Sequence, residues 1–521
     1  MLLGQSAGDS TNTYTTDLLP GEYWWGGFSV DGSRMPYTVD TDLSREQYGD
    51  GAGNQSQPLL LSSRGRYVWS EEPMHYAWTG GHLEVSVRTG KLITGQAGDN
   101  LRSAFEYASE NFFPPSGELP DTLLFTRPQY NTWIELTYDQ EQEAILRYAR
   151  AIIDEGYPPG VLMIDDNWQE DYGDWTFSGK RFPDPHGMMD SLHAMGFRVM
   201  LWVCPFVSPD SDEYRYLRDE GLLIGDGTLD PVQPALIRWW NGGSGVLDLS
   251  NPEAQDWFHQ QLAALVEDYG VDGFKLDAGD SEFYTGDLVT HLPGTPNDQT
   301  TRFAEIGLEY PLNEYRASWK MAGQPLVQRL RDKDHSWEAL QMLIPGILAQ
   351  GMMGYAFVCP DMIGGGQFTS FLDGAPIDQE LVVRSAQVHA LMPMMQFSVA
   401  PWRVLDAKHN AYCLEMAELH SRFGSRILEL ARVSSVTGVP IARPLAFEFP
   451  GAGYEAITDQ FMLGPDLLIA PVVEQGQRRR GVTFPAGRWR GDDGTVVTGP
   501  VRIDIDVPLE RLPYFERLTA D

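Results

Sequence analysis

Cysteine is scarce and shows no pattern of use. The three present, Cys204, Cys359 and Cys413, form no CxxC pair and cannot frame a disulfide-stapled fold. Two of them lie in apolar runs that read as buried strands, so they are expected to be small buried hydrophobes. Positive charge is scarce too. Lys and Arg number 38 against 73 Asp and Glu, a formal net charge of −35. Such a surface repels nucleic acid and anionic membranes, so neither is an expected partner, and neutral or cationic ligands are favoured. Apolar runs of about 20 residues are absent, so no membrane-spanning helix is expected. The opening Met1-Leu2-Leu3-Gly4-Gln5 has neither a basic region nor a long apolar core, so no signal peptide is read there and a cytoplasmic location is the expectation.

Several chemistries lack their signatures. The chain has no GxSxG elbow, no HExxH zinc site and no loop with EF-hand ligand spacing. Gly242-Gly243-Ser244-Gly245 lacks a Lys and the strand–turn–helix setting of a phosphate cradle, and reads as a loop. No metal or other cofactor is therefore expected. A homo-oligomer is compatible with the sequence.

What is present is size, apolar content and alternation. With 521 residues, 42% of them hydrophobic and 12% aromatic, the chain can bury a large core with smaller domains attached. Residues 1–125 carry short alternating segments such as His82–Val87, broken by turn pairs such as Asp31-Gly32 and Asp50-Gly51, the texture of an N-terminal β-sandwich. Residues 126–433 alternate helices with apolar strands. A helix within Asp139–Tyr157 precedes strand Val161–Ile164, and helix His186–Met195 precedes strand Arg198–Val203. Helix Pro252–Tyr269 precedes strand Gly273–Leu276, and helix Trp337–Gln350 precedes strand Tyr355–Val358. Strands apolar on both faces indicate a parallel sheet, and so many units favour a closed (β/α)8 TIM barrel, an α/β fold. From about residue 434 the helices stop, and residues 434–521 read as a small C-terminal β-sandwich domain with strands near Leu467–Val473 and Val501–Val507.

Acids sit at the strand ends. Asp165, Asp166, Asp277 and Asp361 follow their strands directly or within a few residues, and in a barrel those positions converge on one face. Carboxylates without a His or Cys cluster suit divalent-cation binding or sugar hydrolysis by a carboxylate pair. Trp133, Trp168, Trp175, Trp202, Phe206, Trp319 and Phe357 lie among them, and flat rings stack on pyranose faces. An oligosaccharide or other glycoside is thus the expected small-molecule partner.

These segments resemble glycoside hydrolase family 31. Asp272-Gly273-Phe274-Lys275-Leu276-Asp277 resembles the family's nucleophile strand, approached through Val246-Leu247-Asp248-Leu249-Ser250-Asn251-Pro252. Arg331-Asp332-Lys333-Asp334-His335-Ser336-Trp337 resembles its acid/base loop, a register that selects Asp332 over Asp334. The resemblance implies a retaining mechanism with Asp277 as nucleophile and Asp332 as acid/base. It implies substrate contacts from Arg316 in Tyr315-Arg316-Ala317-Ser318, from Asp165 in Ile164-Asp165-Asp166-Asn167-Trp168, and from Asp361 in Cys359-Pro360-Asp361. Trp202 and Trp133 are expected in the pocket. Where α-glucosidases of the family carry an apolar residue, a Trp and a His, this chain has Asp166, Lys275 and Ser398. Those three are similar to the myogenesis-regulating glycosidase branch, which implies α-galactosidase activity, with α-glucosidase or transglycosylase as the alternative. A carbohydrate-binding protein without turnover is the alternative from another class.

Overall fold

A computed structural model of the chain describes residues 10–50, 53–372 and 374–519. The opening Met1–Gln5 and the Gly51 half of the Asp50-Gly51 turn lie outside them. The N-terminal part is two facing antiparallel sheets. One holds Thr13–Asp17, His82–Val87, Met74–Thr79 and Leu43–Glu46. In the other, Gln55–Ser62 lies between Arg66–Ser70 and Trp24–Phe28. His82–Val87 buries alternate residues, as period-two patterning requires of a strand with one face inward.

The barrel strands are β1 (Gln129–Asn131), β2 (Val161–Ile164), β3 (Arg198–Val203), β4 (Gly273–Leu276), β5 (Leu312–Tyr315), β6 (Gln328–Arg329), β7 (Val358–Cys359) and β8 (Gln396–Phe397). All pair in parallel, β8 beside β1, and a bridge from Gln396 to Met362, just past β7, brings the ends together. Gly273 is required where it is: a Cβ there would stand 1.8 Å from the Leu312 carbonyl oxygen of β5. Helix Pro252–Tyr269 is set by its ends. Asn251 caps the Glu253 amide, Pro252 occupies the first turn, and Gly270 ends the helix at φ 71°. Between β5 and β6 no helix occurs among the described residues. Ser318–Trp319 pairs instead with Gln55–Ser56, so the sandwich takes that helix's place.

Four boundaries differ from expectation. Helix His186–Met195 runs Pro185–Ala194. The helix expected over Trp337–Gln350 is two, Trp337–Gln341 and Leu343–Met352, because Pro345 has no amide to continue the first and is tolerated only in a first turn. Strand Tyr355–Val358 shortens to Val358–Cys359, the length that pairs with β6. Helices do not stop at residue 434, since Ala407–Thr437 runs on to Gly438 and a single turn, Leu445–Glu448, follows. The strands of the C-terminal part form one antiparallel six-stranded sheet. Its own small core includes Met462, Leu468, Val482, Phe484 and Trp489. All three cysteines are free and buried. Among the described residues no helix is long and apolar enough to cross a membrane.

Candidate active site

The strand ends of the barrel open into a cavity of about 250 Å³, walled by Asp165, Asp166, Trp202, Lys275, Asp277, Arg316, Arg329 and Asp332. Trp133, Tyr138, Trp240, Gln367 and Phe368 close its rim. The backbone just beyond the strands is strained. Asn167, Ala278 and Asp361, after β2, β4 and β7, have φ of 79°, 57° and 69°, which costs a non-glycine residue about 1–3 kcal/mol. Such turns aim side chains that ordinary strand geometry would not.

Asp277 directly follows β4 and is almost fully buried. Trp202 Nε1 donates to its Oδ2 at 2.8 Å and Arg329 Nη2 to its Oδ1 at 3.1 Å, while Arg316 Nε stands 3.9 Å away. Burial opposes ionisation here, but Arg329, Arg316, Lys275 and the indole bond outweigh it and hold this carboxyl well below the usual range. Asp332 shares the same cation: Arg329 Nη1 donates to its Oδ1 at 2.9 Å. Burial drives Asp332 the opposite way, upward; Arg329 opposes the rise and neighbouring Asp361 adds to it. One carboxyl is held ionised and the other is biased toward its proton.

A second cluster lies at the ends of β2 and β4. Lys275 Nζ donates to Asp165 Oδ2 at 2.6 Å, both groups being buried. Burial would lower the lysine, yet the Asp165 carboxylate raises it, so it stays charged. The Asp166 carboxyl accepts from Tyr172 Oη at 3.2 Å and Asn241 Nδ2 at 2.9 Å. Burial, and then the Asp165 charge, push Asp166 up to about 7. Arg316 donates from Nε to Asp280 Oδ2 at 2.8 Å and lies 4.9 Å from the centre of the Trp240 ring. Asn54 of the sandwich supports both partners. Its amide donates to Asp280 Oδ1 at 2.8 Å and its side chain to the Arg316 carbonyl at 3.1 Å. Gln55 Nε2 donates to the Arg316 and Arg329 carbonyls.

The structure gathers eight of the ten residues singled out from the sequence around this cavity. Ser398 does not line it. Its Oγ accepts the Ile134 amide at 2.8 Å, so it fastens the turn that carries Trp133. Asp361 is wholly buried behind Arg329 and Lys333, 3.7 and 3.2 Å away, and acts on the site through those cations rather than by touch. Among the expected aromatics, Trp168, Trp175, Phe206, Trp319 and Phe357 are core. Trp168 Nε1 bonds the Trp202 carbonyl, and Phe206 stacks on Trp239. Sequence reading missed Arg329, although an apolar Leu326-Val327 before it resembles a strand start. It missed Tyr138, which follows the Trp133–Leu136 turn, and it missed Trp240 and Asn241 because Gly242–Gly245 is no loop but the return strand of a hairpin whose tip reaches the cavity.

Residues 127–410 match the model of the glycosyl hydrolases family 31 TIM-barrel domain, and residues 438–518 that of the family's C-terminal domain. The chain is 32% identical to the myogenesis-regulating glycosidase of Mus musculus over 95% of its own length and 74% of that protein. It is 27% identical to alpha-glucosidase 2 of Bacillus thermoamyloliquefaciens over 73% of its length, and spans about half, 51%, of that enzyme. The fold superposes on the cycloalternan-degrading enzyme from Trueperella pyogenes, solved in complex with a covalent intermediate. The TM-score is 0.82 at 20% identity, over 98% of this chain and 78% of that one.

Proposed function

Because the chain belongs to glycoside hydrolase family 31, we propose that it is a retaining exo-α-glycosidase acting on terminal α-linked hexosides, α-galactosides by preference. The observation that carries this reading is the carboxyl pair on one guanidinium: Asp277 held ionised, Asp332 biased toward its proton. Asp277 attacks the anomeric carbon while Asp332 protonates the departing oxygen, forming a glycosyl ester on Asp277. Water then attacks the same carbon, Asp332 takes its proton, and the Asp277 carboxylate is released. The covalent intermediate recorded for the structurally similar Trueperella pyogenes enzyme supports a double displacement here.

The sugar preference rests on the Asp165–Lys275 ion pair with Asp166 beside it. Galactose and glucose differ only in the orientation of O4, and a site built to bond one hydroxyl leaves buried polar groups unpaired with the wrong isomer. Asp165 and Asp166 are adjacent, the first a carboxylate paired with Lys275 and the second raised to about 7 and so able to accept or donate, suited to bracket O4 and O6. The test is kcat/KM for p-nitrophenyl α-galactoside against the α-glucoside, in wild type and Asp166→Leu. The galactoside is expected to be faster, with the preference reduced in the variant; a faster glucoside overturns the assignment. The relative named alpha-glucosidase 2 favours the second reading, an α-glucosidase or transglycosylase. A binding protein without turnover has no use for a carboxyl biased toward its proton beside an ionised one, and release of p-nitrophenol from either glycoside removes that alternative.

A further inference from the structure

A retaining cycle asks Asp332 to give a proton in its first half and to take one in its second. Arg329 is the side chain that touches both partners in that change. It is 1% exposed at the end of a two-residue strand, so its guanidinium cannot turn to water. Nη2 donates to Asp277 Oδ1 at 3.1 Å and Nη1 to Asp332 Oδ1 at 2.9 Å. Asp361 Oδ1 and Glu314 Oε1 stand farther off, at 3.7 and 3.8 Å, and neither accepts a hydrogen bond. The other cations are committed elsewhere: Lys275 to Asp165, Arg316 to Asp280, Lys333 to Asp361.

We propose, on the reading of the reaction given above, that Arg329 is a shared counter-ion that passes each change of charge at Asp277 on to Asp332 and so switches Asp332 from acid to base. Of the two carboxyls that the guanidinium hydrogen-bonds, Asp277 is the carboxylate in the free enzyme and Asp332 carries the proton. When the Asp277–C1 bond forms and the bond from C1 to the aglycone oxygen breaks, the Asp332 proton leaves on that oxygen. Asp277 is now a neutral ester and Asp332 a carboxylate, so of the two carboxyls the cation bonds, one is still negative, and it is now the other one. When water adds to C1, Asp332 takes the proton, the ester bond breaks, and the charge returns to Asp277. Arg329 is a positioning residue: it touches the two reacting carboxyls and bonds no atom of the sugar in either step.

The test uses the full chain with Arg329→Gln and Arg329→Lys. A glycoside with a dinitrophenyl leaving group makes the second step limiting, so the acid limb of kcat reports Asp332 in the intermediate. In wild type that limb is expected to lie below the basic limb of kcat/KM, which reports Asp332 in the free enzyme; equal or inverted values overturn the proposal without any variant. In Arg329→Gln the acid limb of kcat is expected to move up by about 1–3 pH units, the range set by loss of an adjacent opposite charge, and azide is expected to restore the rate. Arg329→Lys keeps the charge and is expected to hold the limb near wild type at a lower rate. A slower Arg329→Gln with unmoved limbs and no azide response overturns the role. Labelling by a slow 5-fluoro-glycosyl fluoride separates the two claims. No label on Asp277 in wild type defeats the retaining reading itself, whereas a label with unmoved limbs defeats only Arg329.

Discussion

The proposed reaction asks opposite protonation of Asp277 and Asp332 from one environment, and the pocket places them unequally against the same charges. Asp277 receives the Trp202 indole and lies among three cations, so its charge is solvated by fixed donors. Asp277→Ala is expected to abolish turnover without unfolding the protein, because no neighbouring group can form the ester. Peptide mapping after the 5-fluoro-glycosyl fluoride should place the label on Asp277 and on no other acid. Asp332→Ala is expected to fail on poor leaving groups, keep glycosyl fluoride activity, and respond to azide; if Asp334→Ala responds instead, the register is wrong. Ser398 makes a different point. Its hydroxyl accepts a buried amide, so Ser398→Ala should cost about 1–3 kcal/mol of stability, read by denaturant titration, while leaving the galactoside to glucoside ratio unchanged.

At the scale of elements, the hairpin of Ile237–Trp239 and Gly242–Val246 brings Trp240 and Asn241 to the cavity from far along the chain. Trp240 covers the Arg316 guanidinium, a contact worth about 0.5–2 kcal/mol, so Trp240→Ala is expected to lower kcat/KM about 2- to 30-fold on glycosides with a sugar aglycone. The loss should be smaller on glycosyl fluorides, which present no aglycone ring to the rim. This hairpin also marks the limit of sequence reading. Strands such as Val161–Ile164 and Gly273–Leu276 were legible because both faces are buried and their runs are continuously apolar. The two-residue strand holding Arg329 has no periodicity to detect. Gly242–Val246 carries glycines and a serine where a strand usually shows branched residues, so its pairing with Ile237–Trp239 and Phe206–Val207 is what defines it. Lys275 and the acids at strand ends were legible from position. Asp361 was placed near the site from the same kind of argument and Ser398 from the family resemblance, but what stands between them and the cavity is a tertiary fact.

At the scale of the whole molecule, charge is distributed unevenly: net −35 overall, with the buried cations Lys275 and Arg329 set among acids at the barrel mouth. Two buried acids are left near neutrality in compensation. Burial, then Asp165, raises Asp166 to about 7, and burial raises Glu314 to about 7 against the pull of Lys275 and Arg329. In the unfolded chain both ionise near pH 4, so their contribution to stability is full below that and is lost as pH rises through 7. Asp277, held low, contributes above the ordinary carboxylate range and loses its share only in strong acid. His389 and His420, pushed down by burial, act against the two acids between pH 6 and 8. The difference between proteins is therefore the quantity to measure. The Tm of an Asp166→Asn, Glu314→Gln double variant is expected to gain on wild type as pH rises from 6 to 8. A gap that stays constant across that range would show that both acids titrate normally.

The support that Asn54 and Gln55 lend to Arg316 and Arg329 has a temporal side. Their partners lie 262 and 274 residues later in the chain. At about 5–20 residues per second, synthesis leaves those amides waiting roughly 13–55 s for the carbonyls they will hold. During that interval the strand Gln55–Ser62 has no Ser318–Trp319 beside its first residues, an open edge on a nascent domain. The sandwich must therefore hold its shape alone before there is a barrel to serve, and it then acts as the template on which the last parts of the active site to be made are set in register.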